Sequence, residues 1–229
     1  MNCVARLRHK TPGQLAWAIV RRTPLSAVWL RWRAYRQRVA EVAAWNAAGR
    51  PAPPPHYIKQ QVLKEYARTH RLRILVETGT YLGDMVHALG RHFDRIYSIE
   101  LSETLFNRAR DRFRARRHIE LLRGDSGTVL PLVVTRLTGP ALFWLDGHDS
   151  GGITAKGMAS TPIMAELTHI LASRKHSHVI VIDDARCFGT EPGYPSIPEL
   201  ETFIRSLRPD VAIAVEHDSI RVTPSGSGW

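Results

Sequence analysis

Cysteine is scarce in this chain: Cys3 and Cys187 are the two among 229 residues. Two isolated cysteines make neither a disulfide framework nor a zinc site, so a reducing, cytoplasmic setting is expected. Acid is scarce in one stretch only. Residues 1–50 hold ten Lys/Arg against Glu41 alone, a balance of +9, whereas the remainder holds 22 against 20. The net charge of +11 therefore belongs to the N-terminal segment. Whole-chain charge is then a poor reason to infer a nucleic-acid partner. Long apolar runs are also missing. Arg21 and Arg22 interrupt residues 15–30, which excludes a transmembrane helix of about 20 apolar residues. A secretory signal is not expected either, because arginines break the apolar region and no convincing small-residue cleavage site follows. Internal repeats are absent, and so is the Gly-x-Gly-x-x-Gly spacing of dinucleotide binders.

What is present falls into three stretches. Residues 1–50 mix arginine with Trp17, Trp29, Trp32 and Tyr35, and Pro12 and Pro24 mark expected helix starts. This basic helical N-terminal extension either packs against a protein surface or lies as a peripheral helix on an anionic membrane. Residues 51–55, with four prolines, read as an extended linker. Residues 56–229 form the expected domain. A helix over 56–70 comes first, with Ile58, Val62, Leu63, Tyr66 and Ala67 at helical spacing. Strands are predicted at 73–77, 96–100, 119–122, 141–145 and 179–182. Helices are predicted at 83–92, 102–116, 127–136, 162–173 and from 197. A β-hairpin is predicted over 211–216 and 219–223. Strands alternating with helices give an α/β doubly wound sheet, parallel except for the C-terminal antiparallel hairpin. Ligands of such sheets bind at the carboxyl ends of the strands.

That edge is where the acids fall. Glu77, Glu100, Asp125, Asp146 and the pair Asp183-Asp184 each lie at or just after a predicted strand end. Scattered surface acids would fall on helix faces instead. The first strand runs into Glu77-Thr78-Gly79-Thr80-Tyr81-Leu82-Gly83. Its glycines let the backbone approach a ligand, and the helix start offers free N–H groups. An acid at the turn would repel a pyrophosphate and suits a ligand with a cationic part, which points to a nucleoside cofactor. Glu100, 17 residues after Gly83, stands where a carboxylate takes both ribose hydroxyls. Asp125 with Ser126 is placed to receive an adenine amino group.

Taken in this order, the motifs over roughly residues 56–223 resemble a class I S-adenosylmethionine-dependent methyltransferase. The resemblance implies a Rossmann-like seven-stranded sheet. It implies a cofactor site of Glu77, Gly79, Tyr81, Gly83, Glu100, Asp125 and Ser126. The segments Phe143-Trp144-Leu145-Asp146-Gly147-His148 and Ile180-Val181-Ile182-Asp183-Asp184 are similar to the metal-dependent sugar O-methyltransferases of the macrocin type. That likeness implies Mg²⁺ held by Asp146, Asp183 and Asp184, and an acceptor hydroxyl on a small molecule or sugar. Three carboxylates on adjacent strand ends suit a hard, oxygen-seeking ion. The chain departs from that pattern at His148, where the family has an acid that serves as base. His148 or Asp149 is left as the catalytic base, with Asp146 beside it. The glycine-rich loop 151–157 is expected to close over the acceptor, with Lys156 and Arg186 contacting an anionic group on it. Two alternatives remain. One is an RNA-directed methyltransferase using the basic N-terminus. It would show Asn/Asp-Pro-Pro-Tyr/Phe after the fourth strand for amino-group chemistry, where this chain has Asp-Gly-His-Asp. The other is a non-catalytic module docked to a membrane or partner. A homo-oligomer is compatible with all of these.

Overall fold

The computed structural model describes residues 24–146 and 161–225. The chain divides into two compact units, residues 1–50 and 51–229. In the first unit, α1 (Pro24–Ala47) runs 24 residues. Its end is closed by Gly49 at φ 82°, with the Arg50 N–H donating to the Trp45 carbonyl at 2.9 Å. Glycine reaches that left-handed conformation without a Cβ clash, which is why it terminates helices. No helix among the described residues is long and apolar enough to cross a membrane.

The second unit starts at the proline segment, whose Pro54 and Pro55 are buried in it. Its elements are α2 (His56–Thr69), β1 (Ile74–Thr78), α3 (Asp84–Leu89), β2 (Arg95–Glu100), α4 (Glu103–Phe113), β3 (Ile119–Arg123) and α5 (Ser126–Arg136). They continue with β4 (Ala141–Leu145), α6 (Ile163–Ala172), β5 (Val179–Ile182), α7 (Ile197–Leu207), β6 (Val211–Glu216) and β7 (Ser219–Pro224). The sheet has seven strands in the order β3-β2-β1-β4-β5-β7-β6. β1 to β5 pair in parallel, and β7 joins β5 antiparallel. The chain order reverses between β1 and β4, the switch point where such sheets open a crevice.

Strand alternation sorts the two faces. Ile74, Val76, Ile99, Phe143, Leu145, Ile180 and Ile182 pack with α5, α6 and α7. Leu75, Ile96, Leu142, Trp144, Val179 and Val181 pack with α2, α3 and α4. Both faces are covered, so the central strands β1, β4 and β5 are buried along their whole length, while the edge strand β3 is half-buried.

Two expected helices come out shorter. The helix expected over 83–92 is the six-residue α3. Beyond Leu89 the His92 N–H turns back to the Leu89 carbonyl, Phe93 enters the core, and the Asp94 N–H bonds the Arg73 carbonyl. Pairing with the β1 side therefore ends the helix early. The helix expected over 102–116 is α4, 103–113, capped by the Ser102 hydroxyl accepting from the Leu105 N–H. Its basic end folds instead into the turn where the Ile119 N–H bonds the Arg116 carbonyl.

Candidate active site at the carboxyl edge

Backbone hydrogen bonds carry the sheet ladder past the strand ends and bring the acids together. The Asp146 N–H donates to the Thr78 carbonyl at 3.1 Å, and the Asp183 N–H donates to the Leu145 carbonyl at 3.0 Å. The glycine turn is tied to β2 in the same way: Gly79 and Thr80 both donate to the Ile99 carbonyl. The turn needs left-handed backbone at Gly79 (φ 83°), Tyr81 (φ 47°) and Gly83 (φ 75°). A Cβ on Gly83 would lie 2.7 Å from the Phe113 ring.

Glu100 is held by this turn. One carboxylate oxygen accepts the Tyr81 N–H at 2.8 Å, and the other accepts the Ser102 N–H at 2.9 Å. Burial raises its pKa and these N–H groups oppose the rise. Each oxygen has a second lone pair, so the carboxylate is fixed but not saturated. Tyr81 contributes its backbone here, since its side chain is 49% exposed.

Glu77, on the opposite face of β1 from Thr78, is only 1% exposed. It accepts from the Ser98 hydroxyl on its register partner in β2, and Thr80 Oγ1 lies 2.6 Å from Ser98 Oγ. Burial pushes the Glu77 pKa up to about 8; the Ser98 bond pulls the other way, and the charges of Asp146 and Glu100 add to the rise. Asp125 stands at the N-cap of α5 without a side-chain cap bond, and Ser126 is buried beside it.

The second group of acids surrounds the end of β5. Carboxylate oxygens of Asp146, Asp183 and Asp184 lie within 4.8 Å of one another. Asp184 has left-handed backbone, φ 54°, and opens a short 3₁₀ turn over Ala185–Cys187. That turn is braced by the β6–β7 hairpin loop. The Ala185 N–H donates to the Asp218 carbonyl, the Arg186 N–H donates to Asp218 Oδ1, and both loop residues His217 and Asp218 have positive φ. Arg186 pairs with Asp184 at 2.7 Å and also with Asp218, yet stays 42% exposed. Lys59 of α2 places Nζ 2.5 Å from Asp183 Oδ2 and 3.5 Å from Asp184 Oδ1. Burial works against the Lys59 charge, but Asp183, Asp184 and Asp146 outweigh it and raise its pKa. Burial, then the charge of Asp146, pushes Asp183 up to about 7 in spite of Lys59. Lys59 and Arg186, the latter shared with Asp218, therefore do not neutralise three crowded carboxylates. Asp183 Oδ1 is buried with no hydrogen-bond partner. An oxygen-only donor set with an orphaned buried acceptor fits a hard divalent cation such as Mg²⁺.

Of the residues expected at the site, His148, Asp149 and Lys156 lie outside the described residues, as does the loop 151–157. The others share the carboxyl edge. Three participants were not expected from the sequence. Lys59 reaches the acids from 124 residues away, and no spacing signals that. Ser98 left a trace as a lone polar residue inside the apolar strand Arg95–Glu100. Glu166 shares the buried face of α6 with Ile163, Leu167 and Ile170 at helical spacing. Burial pushes its pKa up to about 7. The hydroxyls of Ser126 and Thr78 lie near enough to oppose this, although Thr78 Oγ1 and Glu166 Oε1 complete no hydrogen bond. With Tyr194, Thr161 and Asp183, Glu166 lines a small cleft. A larger open groove is lined by Arg68, Arg71, Arg91 and Glu65, and none of the strand-end acids lines it.

No family model and no curated protein matches the sequence. Solved structures do. The chain is similar to the O-methyltransferase TomG of Streptomyces achromogenes, involved in tomaymycin synthesis and crystallised with S-adenosylmethionine. They share 20% identity over 82% of this chain and 89% of that one, with a TM-score of 0.55. It is similar to an O-methyltransferase of Bacillus cereus in complex with S-adenosylhomocysteine, at 18% identity over 81% and 89%, TM-score 0.55. It is also similar to the S-adenosylhomocysteine-bound methyltransferase PaMTH1 of Podospora anserina, at 16% identity over 86% and 95%, TM-score 0.52. At these identities the likeness is one of fold. The second unit has the Rossmann-like fold of these methyltransferases.

Proposed function

We propose that this chain is an S-adenosylmethionine-dependent O-methyltransferase acting on a hydroxyl of a small molecule or sugar. The observation that carries the reading is the gathering of Glu77, Glu100, Asp125, Asp146, Asp183 and Asp184 along one sheet edge. The cofactor supplies an electrophilic methyl on a sulfonium, and its adenosine and methionine ends need the acids of the β1, β2 and β3 ends. Glu100, held in place by two backbone N–H groups, would receive the ribose hydroxyls. Asp125 and Ser126 would receive the adenine. Glu77 would face the methionine amino group, directly or through water. Gly79 and Gly83 keep the turn slim enough for this approach.

Asp146, Asp183 and Asp184 would hold Mg²⁺, which when bound lowers the pKa of a coordinated hydroxyl. His148 or Asp149 would take the proton released by the acceptor oxygen. Lys156 and the exposed part of Arg186 would orient an anionic group on the acceptor. The chain otherwise acts by positioning, and proximity of this kind supplies several kcal/mol, about 7–11 in well-aligned cases. The exposed side chains Val28, Trp32, Tyr35 and Val39 recur along one face of α1 with Arg31 and Arg36 to either side, which suits peripheral contact with an anionic membrane.

The test is transfer of labelled methyl from S-adenosylmethionine to a panel of polyhydroxylated small molecules. Transfer that Asp146→Ala lowers by about 100-fold or more supports the reading. Full activity in Asp146→Ala removes the acid cluster from the chemistry.

A further inference from the structure

The cation nearest the acid cluster belongs to the chain itself. Lys59 projects from α2, and its stem lines a small cleft with Trp144 and Val181. Its ammonium reaches Asp183 Oδ2 at 2.5 Å and Asp184 Oδ1 at 3.5 Å, and the side chain is 14% exposed. Lysine is strongly hydrated. It gives up that water here because the carboxylates replace it. Asp184 is also held by Arg186, which Asp218 anchors from the hairpin loop. Among the described residues, Lys59 has no anchor of that kind beyond the acids themselves. Asp183 Oδ1 stays buried without a hydrogen-bond partner, so the carboxylate that Lys59 holds on one oxygen still presents an unfilled acceptor on the other.

An ammonium and a divalent ion cannot share these oxygens. The candidate ligand atoms lie within 4.8 Å of one another, and a divalent ion held among them would strongly repel an ammonium on the same Asp183 carboxylate. We propose that Lys59 is a resident counter-ion which a divalent cation must displace, so that Lys59 sets the metal affinity of the site. This inference rests on the reading that Asp146, Asp183 and Asp184 are metal ligands. It makes the metal-free site a folded, partly neutralised state, and binding an exchange of one cation for another.

Mn²⁺ binding, followed by the electron paramagnetic resonance of the free ion, tests this on the full chain. Lys59→Met keeps the stem and removes the charge, and Lys59→Gln serves if the methionine variant does not fold. The neutral variant is expected to bind one Mn²⁺ at least about ten-fold more tightly than wild type. Mn²⁺ should also raise its melting temperature by more, because at a given concentration a ligand stabilises the folded state more the tighter it binds. Adding Asp183→Ala to the neutral variant should abolish the gain. Equal or weaker binding in the neutral variant, binding to neither protein, or a gain that survives Asp183→Ala overturns the proposal. S-adenosylhomocysteine titrated into the same proteins reports separately on the cofactor half, so loss of that binding sinks the methyltransferase reading and leaves the Mn²⁺ comparison readable.

Discussion

Glu77 is a carboxyl that burial and two neighbouring acids hold protonated up to about pH 8. A ligand whose ammonium pairs with it must expel that proton. Affinity for S-adenosylhomocysteine should therefore weaken as pH falls from 8 to 6, by about ten-fold or more, since each pH unit below the pKa costs up to a factor of ten. Glu77→Gln should bind more weakly and show a flat pH profile, which calorimetry across that range would reveal. Glu166 gives a stability counterpart. Folded, it keeps its proton up to about pH 7, whereas unfolded it releases it near the ordinary glutamate value of 4.5. The native state binds more protons in that window, so stability falls as pH rises through it. Glu166→Gln removes this contribution, and its stability relative to wild type should grow by up to about 3 kcal/mol between those pH values. Urea melts at pH 5 and pH 7 measure the difference. At this scale the sequence was legible where a residue type stands at a strand end, as with Glu77, Glu100 and Asp146. It was illegible where chemistry comes from distant chain, as with Lys59, or from a helix face read only as core, as with Glu166.

At the scale of elements, the glycine turn is the tightest constraint. Gly83 combines φ 75° with a Phe113 ring that a Cβ would meet at 2.7 Å. Gly83→Ala should cost about 2–3 kcal/mol, from left-handed backbone and overpacking together. The urea midpoint should fall with the slope unchanged. The central strands were the most legible elements, because their residues are buried on both faces and leave short apolar runs such as Ala141–Leu145 and Val179–Ile182. Helix ends were less so. The α3 boundary depends on the Asp94 N–H finding the Arg73 carbonyl, a tertiary bond with no local signature. The bracing of Asp184 by the β6–β7 loop is equally silent in sequence, although the hairpin itself was expected. Its His217-Asp218 loop takes the positive φ values of a type I′ turn without a glycine.

Across the whole molecule, the order β3-β2-β1-β4-β5-β7-β6 gathers acids spread over more than 100 residues of chain onto one edge. The strand–helix alternation allowed a doubly wound sheet to be expected. The pairing order itself follows from which helices cover which face, and that is a property of the folded whole. The segregation of charge was legible outright: the net positive charge lies in the first unit, and the second is close to neutral. The central claim is that the ends of β1, β2 and β3 bind an adenosyl cofactor. Calorimetric titration of S-adenosylhomocysteine into wild type and Glu100→Gln tests it most directly. The account predicts one site per chain in wild type and at least about ten-fold weaker binding in the variant, the loss of a charged hydrogen-bond acceptor being worth about 1.5–3 kcal/mol. No heat from wild type, or equal affinity in a folded Glu100→Gln protein, would contradict it.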